Sequence, residues 1–210
     1  MKESPVVFKR FADISRCVYL LESSDGSDVS EKVKKHLPEF TEMKKNGSIM
    51  TLSLHRYGSI TVLYYECVGC DILPQELVPE DGIIFRPMMD VYHGNLPEGL
   101  ESWSREKEFR PQCRVIFLRP EKVSGYIFYH FQLQEEYPGG MSQRFLISIL
   151  ENLLFMYTEE PDKGVKPGYA GILHTENSPT NWPELMTEHF KPWDDGAGDE
   201  WRDTETLLFV

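Results

Sequence analysis

The sequence predicts an α+β fold made of two similar halves, residues 1–112 and 113–210. Composition supports this: at 210 residues, with 40% hydrophobic and 12% aromatic residues, the chain can bury two cores and is too apolar to be disordered. The order of the elements supports it too, because the predicted strands and helices follow one another in a similar order in both halves. The third observation is a stretch of the first half that recurs in the second.

The first half reads as the strand, helix, hairpin, helix, strand order of a ferredoxin-like unit. Asp28 caps the predicted helix, with Glu31 in the position that completes a capping box, and Asn46-Gly47 ends it. Its apolar stripe includes His36 between Val33 and Phe40. The predicted elements are a strand over 17–22, a helix over 29–45, a hairpin of strands 49–55 and 59–68, a short helix over 85–92 and a strand after Trp103.

The second half is predicted to repeat this cycle. Its predicted elements are strands over 114–118 and 126–133, a turn at 138–140, a helix over 142–157, a strand over 169–174, a helix over 182–190 and a strand over 204–210. The stretches 87–109 and 185–209 match, since Trp103 follows Met88 by 15 residues and Trp201 follows Met186 by 15. We therefore expect a tandem duplication whose two open sheets pack face to face.

Charge and hydropathy limit the classes of partner. The net charge of −12 disfavours nucleic acid and anionic membranes, because both require clustered Lys and Arg. No apolar run approaches the roughly 18 residues of a membrane span, and the first residues do not read as a signal peptide. We expect a cytoplasmic monomer or homodimer whose partner is a small neutral molecule, such as a monosaccharide.

The four cysteines do not form a recognisable framework. Cys67 and Cys70 make a single CxxC, whereas a zinc ribbon needs a second pair, and Cys17 and Cys113 stand alone. No helix pattern follows the CxxC, as a thioredoxin-like site would require. Buried or strand-end thiols are the expectation, and no metal site is predicted.

One segment of each half resembles the L-rhamnose mutarotase family. In the first half the resemblance rests on Lys34-Lys35-His36, Pro38 and Phe40, followed by a Gly-containing turn and a hairpin. In the second half Trp182 and Met186-Thr187 match the Trp-bearing helix of that family. The chain departs from the family at Lys32, where the family has Tyr, and at Pro183, where it has a second Trp.

The resemblance implies a dimeric α/β barrel and a cofactor-independent sugar isomerase. It implies that His36 is the acid/base and that Trp182 stacks on the sugar; the alternatives are a buried structural histidine and a tryptophan that packs its helix onto the sheet. A family subunit is about half as long as this chain, so two copies would form an intramolecular barrel.

Further candidate residues come from strand alternation. On the predicted strand 126–133, Tyr126 and His130 share a face with Gln132, which could line a pocket or face solvent. Tyr64 and Tyr65 alternate, so one should pack and the other reach a cavity. A non-catalytic binding or regulatory module and a small monooxygenase or haem-degrading protein of the same fold remain alternative functions, the latter by analogy of fold alone.

Overall fold

The computed structural model describes residues 10–11, 14–69, 71–94, 100–105, 108–137, 141–161, 171–196 and 198–210. It confirms the α+β class, with two antiparallel sheets and few helices. The chain forms two compact units. Unit 1 comprises residues 1–89, 97–111 and 204–210, and unit 2 comprises residues 90–96 and 112–203.

Unit 1 is built on a sheet with the strand order β1-β2-β4-β3-β11, in which β5 also pairs with β2. Its helices and strands are β1 (Arg10–Phe11), β2 (Ile14–Ser23), α1 (Val29–Lys34), α2 (Leu37–Lys45), β3 (Ile49–Tyr57), β4 (Ile60–Val68), α3 (Pro74–Leu77), β5 (Ile83–Pro87), α4 (Leu100–Trp103) and β11 (Glu205–Phe209). The strands predicted at 17–22, 49–55, 59–68 and 204–210 are therefore confirmed. The core joins alternate residues of the sheet, such as Leu63 and Tyr65, to Val33 and Phe40 of the two helices.

The helix predicted over 29–45 is broken. Asp28 caps α1 as expected, accepting a hydrogen bond from the Ser30 backbone N–H. The helix ends at Lys34, and a second helix begins at Leu37 with His36 as its N-cap. Pro38 lies in the first turn of α2, where its missing N–H costs no intrahelical hydrogen bond. The sequence stripe was continuous across this break, which is why a single helix was expected.

Unit 2 is built on a sheet with the strand order β10-β7-β9-β8-β6. Its helices and strands are β6 (Met89–His93), β7 (Arg110–Phe117), a 3-10 turn (Pro120–Lys122), α5 (Val123–Glu136), β8 (Leu146–Leu150), β9 (Leu153–Glu160), α6 (Trp182–Thr187) and β10 (Arg202–Asp203). The predicted strand 114–118 and helix 182–190 are confirmed, although α6 is shorter. The core of this unit packs α5 and α6 on Ile116, Ile147 and Leu154 of the sheet.

The prediction of a helix over 142–157 is wrong, because this segment forms the β8–β9 hairpin. Leu150 pairs with Leu153, so Glu151 and Asn152 form the turn, and Glu151 has a positive φ of 55°. The runs 145–150 and 153–157 are apolar at every position except Ser148, and such runs fit buried strands as well as a helix. The polar pair Glu151-Asn152 was the turn signal in the sequence.

The strand predicted over 126–133 is also wrong, because these residues lie in α5. Tyr126, His130 and Gln134 recur every four residues, so one sequence satisfies both the strand and the helix period. The short helix expected over 85–92 is instead strands β5 and β6. Residues 171–174 form no strand, and residues 169–170 and the 138–140 turn lie outside the described residues.

Both units share an order of elements. Unit 1 runs β2, helices, β3, β4, and unit 2 runs β7, α5, β8, β9; in each sheet the second of the hairpin strands lies between the other two. The division at residue 112 and the duplication itself stay predictions. No helix within the described residues is long and apolar enough to cross a membrane.

We predict that Gly94→Ala lowers the stability of unit 2. A Cβ at Gly94 would lie 1.8 Å from the Ser142 carbonyl oxygen, so the backbone would have to shift, at about 1–3 kcal/mol. Gly125→Ala is the matched control, because its Cβ would meet the Nε2 end of the His189 side chain at 3.2 Å. Urea unfolding should separate the two variants; equal stability would contradict the close approach at Gly94.

Candidate functional site

His36, the predicted acid/base, lies at the break between α1 and α2. Its Nε2 is 3.3 Å from Oε1 of Glu80, without the alignment of a linear hydrogen bond. Glu80 also lies 3.7 Å from the ammonium of Lys35. The His36 side chain keeps 16% of its surface exposed, and its Nδ1 has no hydrogen-bond partner among the described residues. An oriented imidazole with one unoccupied nitrogen is suited to accept a proton.

Tyr64 and Tyr65 point to opposite faces of the unit 1 sheet, as alternation requires. Tyr65 lies in the core beneath the helices, where its hydroxyl donates to the Ile72 carbonyl at 2.7 Å. Tyr64 lies on the other face; its hydroxyl donates to Glu66 Oε1 at 2.5 Å and accepts from Arg16 Nε at 2.9 Å. Both side chains are fully buried and both hydroxyls are engaged.

Glu66 is the centre of a buried polar network that the sequence analysis did not find. Besides Tyr64, it accepts hydrogen bonds from Trp103 Nε1 at 3.0 Å and from both terminal nitrogens of Arg105 at 2.9 and 3.1 Å. Burial alone would raise the pKa of Glu66, but the charge and hydrogen bonds of Arg105, with the charge of Arg16, lower it to about 2. The carboxylate is therefore ionised at physiological pH.

A serine–histidine pair lies on the same face of this sheet. Nε2 of His55 is 2.8 Å from Ser53 Oγ, and Nδ1 is 3.3 Å from the Thr206 hydroxyl. Both side chains are fully buried, and burial lowers the pKa of His55 to about 3. The i, i+2 spacing on a predicted strand was the available signal. An imidazole with so low a pKa is a weak general base, so we assign the pair to the structure of the sheet.

Three of the predicted binding residues, Tyr126, His130 and Trp182, meet in unit 2. The His130 ring lies 3.9 Å from the Tyr126 ring and 4.9 Å from the Trp182 ring, measured between centroids. Tyr92 also packs edge-on against His130 at 5.8 Å. These rings pack between helices α5 and α6, whereas the sequence predicted that Tyr126 and His130 lie on a sheet face.

His130 is held as a neutral imidazole. Its Nδ1 donates to the Tyr126 carbonyl at 2.9 Å, so the lone pair is on Nε2, which has no partner among the described residues. Burial lowers the pKa of His130 to about 4, although the carbonyl opposes this shift. Trp182 stays partly exposed at the edge of the cluster. The arrangement combines an aromatic surface with a hydrogen-bond acceptor.

Unit 2 carries a second buried Tyr-x-Glu pair. The hydroxyl of Tyr157 donates to Glu159 Oε1 at 2.8 Å, as Tyr64 does to Glu66. The Nε of Arg144 is 3.4 Å from the other oxygen of Glu159, with both side chains 5% exposed. The recurrence of Tyr-x-Glu at 64–66 and 157–159 was a sequence signal that the repeat comparison missed.

The predicted site residues thus fall into two sets. His36, Tyr64 and Tyr65 belong to unit 1, and Tyr126, His130 and Trp182 belong to unit 2. Of the CxxC, Cys67 is buried, as is Cys17, and Cys70 lies outside the described residues. Among the described residues, no three His, Cys, Asp or Glu side chains are grouped as ligands for a metal.

Comparison with known proteins gives little further guidance. No protein-family model matches the chain, and no curated protein matches it. One solved structure is similar, a protein of Fusobacterium nucleatum described as "Putative monooxygenase", with 10% identity, 95% of each chain covered and a TM-score of 0.42. A likeness this weak assigns no function, so the monooxygenase and haem-degrading alternative stays a prediction.

We predict that His130 makes unit 2 less stable in acid. The folded pKa of about 4 lies below the ordinary 6.5, so the unfolded chain binds more protons, and stability falls as the pH drops from 6.5 towards 4. The loss should reach about 3 kcal/mol, and His130→Gln should remove it. Urea titrations across this pH range measure the slope, with exposed His174→Gln as the control; equal slopes for wild type and His130→Gln would refute the assignment.

We predict that Glu66→Gln destabilises unit 1 by about 3 kcal/mol, because it leaves Arg105 buried without its carboxylate. The control is Glu42→Gln, which removes an exposed carboxylate 3.8 Å from Lys45 and should change stability by less than about 0.5 kcal/mol. Chemical unfolding followed by tryptophan fluorescence compares the two. Similar losses would show that the network contributes nothing specific.

Proposed function

We propose that the protein is a cofactor-independent isomerase of the mutarotase type, acting on a small neutral sugar. The observation that carries the proposal is the His36–Glu80 pair, in which Nε2 approaches a carboxylate at 3.3 Å while Nδ1 has no partner among the described residues. His36 is the residue that the family resemblance assigns as the acid/base. Glu80, absent from that resemblance, is the positioning residue.

The chemistry needs little beyond such a pair. Opening a sugar ring requires a proton to leave the anomeric hydroxyl and another to reach the ring oxygen, and histidine suits both transfers near neutral pH. In the proposal Nδ1 of His36 takes the proton of the anomeric hydroxyl while a solvent water gives a proton to the ring oxygen as the ring C–O bond breaks, and the imidazolium then returns its proton to solvent. The charge of Glu80 stabilises the imidazolium formed, as a carboxylate partner does in other histidine pairs.

The proposal includes the fold of a tandem ferredoxin-like protein forming an intramolecular dimeric α/β barrel. Support comes from the order strand, helix, strand, strand in each unit and from the equivalent strand orders β2-β4-β3 and β7-β9-β8. Further support comes from the Tyr-x-Glu pairs on β4 and β9. Duplication of one ancestral unit would produce each of these three similarities.

The aromatic group of the proposal is Trp182 with Tyr126 and His130. A partly exposed indole beside a neutral imidazole offers a flat apolar surface and an acceptor, the combination that a sugar ring and its hydroxyls require. In the proposal this group is a sugar-binding surface of unit 2, and the proton transfer by His36 takes place in unit 1.

A non-catalytic binding module is the second candidate. It is favoured because the hydroxyls of Tyr64 and Tyr65 are both engaged inside the protein, so neither acts as the second acid of a ring opening. Such a module would keep the sugar-binding group of unit 2 and perform no chemistry.

We predict that the wild type accelerates anomeric exchange of a free sugar, measured by saturation-transfer NMR with L-rhamnose, D-glucose and D-galactose. His36→Ala should reduce the rate at least about 100-fold, as expected for loss of a general acid/base. Glu80→Gln should reduce it about tenfold, with the apparent affinity for sugar unchanged.

The control for both variants is His174→Ala, which removes an exposed histidine. Acceleration that survives in His36→Ala would remove His36 from the mechanism. No acceleration by the wild type, with sugar binding still detected, would replace the isomerase by the binding module.

A further inference from the structure

Unit 1 contains an open cleft of about 360 Å³ apart from the His36–Glu80 pair. The last residues of β2, the turn between β3 and β4 and the loop that leads into α1 enclose it. Its lining is rich in hydroxyl and charged groups, and neither His36 nor Glu80 belongs to it. Its polar lining includes Glu22, Asp28, Arg56, Ser59 and Thr61.

The pairing of the strands places the side chains of Arg56 and Thr61 together, whereas Glu22, the residue after Leu21, projects to the other face. Thr61 of β4 lies between Leu21 of β2 and Arg56 of β3, to which it is directly paired. Side chains opposite each other in antiparallel strands project to the same face, here the face covered by α1 and α2. Asp28, the cap of α1, closes the cleft from above.

Arg56 is anchored on one side only. Its Nη2 donates to Asp28 Oδ1 at 2.6 Å and to the Ser30 hydroxyl. Its Nε and Nη1 donate to no described residue, and the side chain keeps 30% of its surface exposed. The guanidinium is thus fixed in place with two donor groups unused, which is the preorganised state that binding favours.

An acceptor of the same cleft is also unused. Asp28 receives its hydrogen bonds on Oδ1. Its Oδ2 has no partner among the described residues. The Ser30 and Arg56 contacts lower the pKa of Asp28 to about 2, so its carboxylate accepts hydrogen bonds at any physiological pH.

The Thr61 hydroxyl is the most informative group. Thr61 is 4% exposed, and its Oγ1 has no partner among the described residues. This oxygen is not among the fully enclosed polar atoms of the described residues, so it opens into the cleft, where a bound molecule or water can hydrogen-bond to it. Ser59, an exposed residue of the turn before β4, adds a second hydroxyl without a partner among the described residues.

We propose that this cleft binds a neutral polyhydroxylated molecule of about monosaccharide size. Hydroxyl groups donate and accept at once, which matches a cleft that offers guanidinium donors, carboxylate acceptors and hydroxyls that do both. An anion would meet the charge of Asp28, and an apolar molecule would leave all of these groups unsatisfied. The volume lies within the range of about 300–1,000 Å³ of ligand sites.

The test is saturation-transfer difference NMR with calorimetry on the full chain, using D-glucose, L-rhamnose and myo-inositol as neutral probes and D-glucuronate and glucose 6-phosphate as anionic ones. We expect saturable binding of at least one neutral probe. Thr61→Val, which keeps shape and removes one hydrogen bond, should weaken it about two- to tenfold. Arg56→Gln should weaken it at least about tenfold.

The matched control is Thr41→Val, which removes an exposed hydroxyl bonded to the Leu37 carbonyl at 2.8 Å and should leave binding unchanged. The same titrations in a Trp182→Ala background remove the proposed sugar-binding group of unit 2, so that the binding measured is that of this cleft. The proposal is overturned by no saturable binding of any neutral probe up to about 50 mM, by binding that Thr61→Val does not weaken, or by tighter binding of the anionic probes.

Discussion

A buried carboxylate sets the organisation of unit 1. Glu66 has no exposed surface, and an ion removed from water at that depth must regain its hydrogen bonds from the protein. Tyr64, Trp103 and Arg105 supply them, so the segment 100–105 is tied to β4 by charge-assisted bonds as well as by packing. The unit 1 sheet therefore has two distinct faces, an apolar one under its helices and a polar one on which this network lies.

The two faces explain which parts could be predicted from the sequence. Alternation in β3 and β4 is a local property, so the hairpin, the division of Tyr64 from Tyr65 and the cap at Asp28 were all readable. The partners of Glu66 were not, because Trp103 and Arg105 are 37 and 39 residues away and no local pattern links them. Glu80 could not be predicted as a partner of His36 either, because β3 and β4 lie between the two residues in the chain.

The predicted element type was wrong where one segment fits both the strand and the helix period. Residues 146–157 are apolar on both faces, and Tyr126, His130 and Gln134 satisfy a strand and a helix alike, so packing rather than local preference decides between them. Although residues 126–133 form a helix and not the predicted strand, Tyr126 and His130 still share a face, because residues four apart lie on one side of a helix. In the structure both rings are grouped with Trp182. The sequence placed Tyr126 and His130 on one face but assigned that face to the wrong element, and it did not predict that Trp182 packs against them.

The histidines differ in what their surroundings allow. His55 and His130 are buried, their pKa is lowered, and each has a ring nitrogen fixed by a neighbour, so they act as neutral hydrogen-bonding rings. His36 is placed differently by the helix break, which gives up helical continuity at Lys35 and sets the ring beside Glu80 at the surface. Because a continuous helix would keep His36 on the buried stripe with Val33 and Phe40, the break itself makes proton exchange with a ligand or solvent physically accessible.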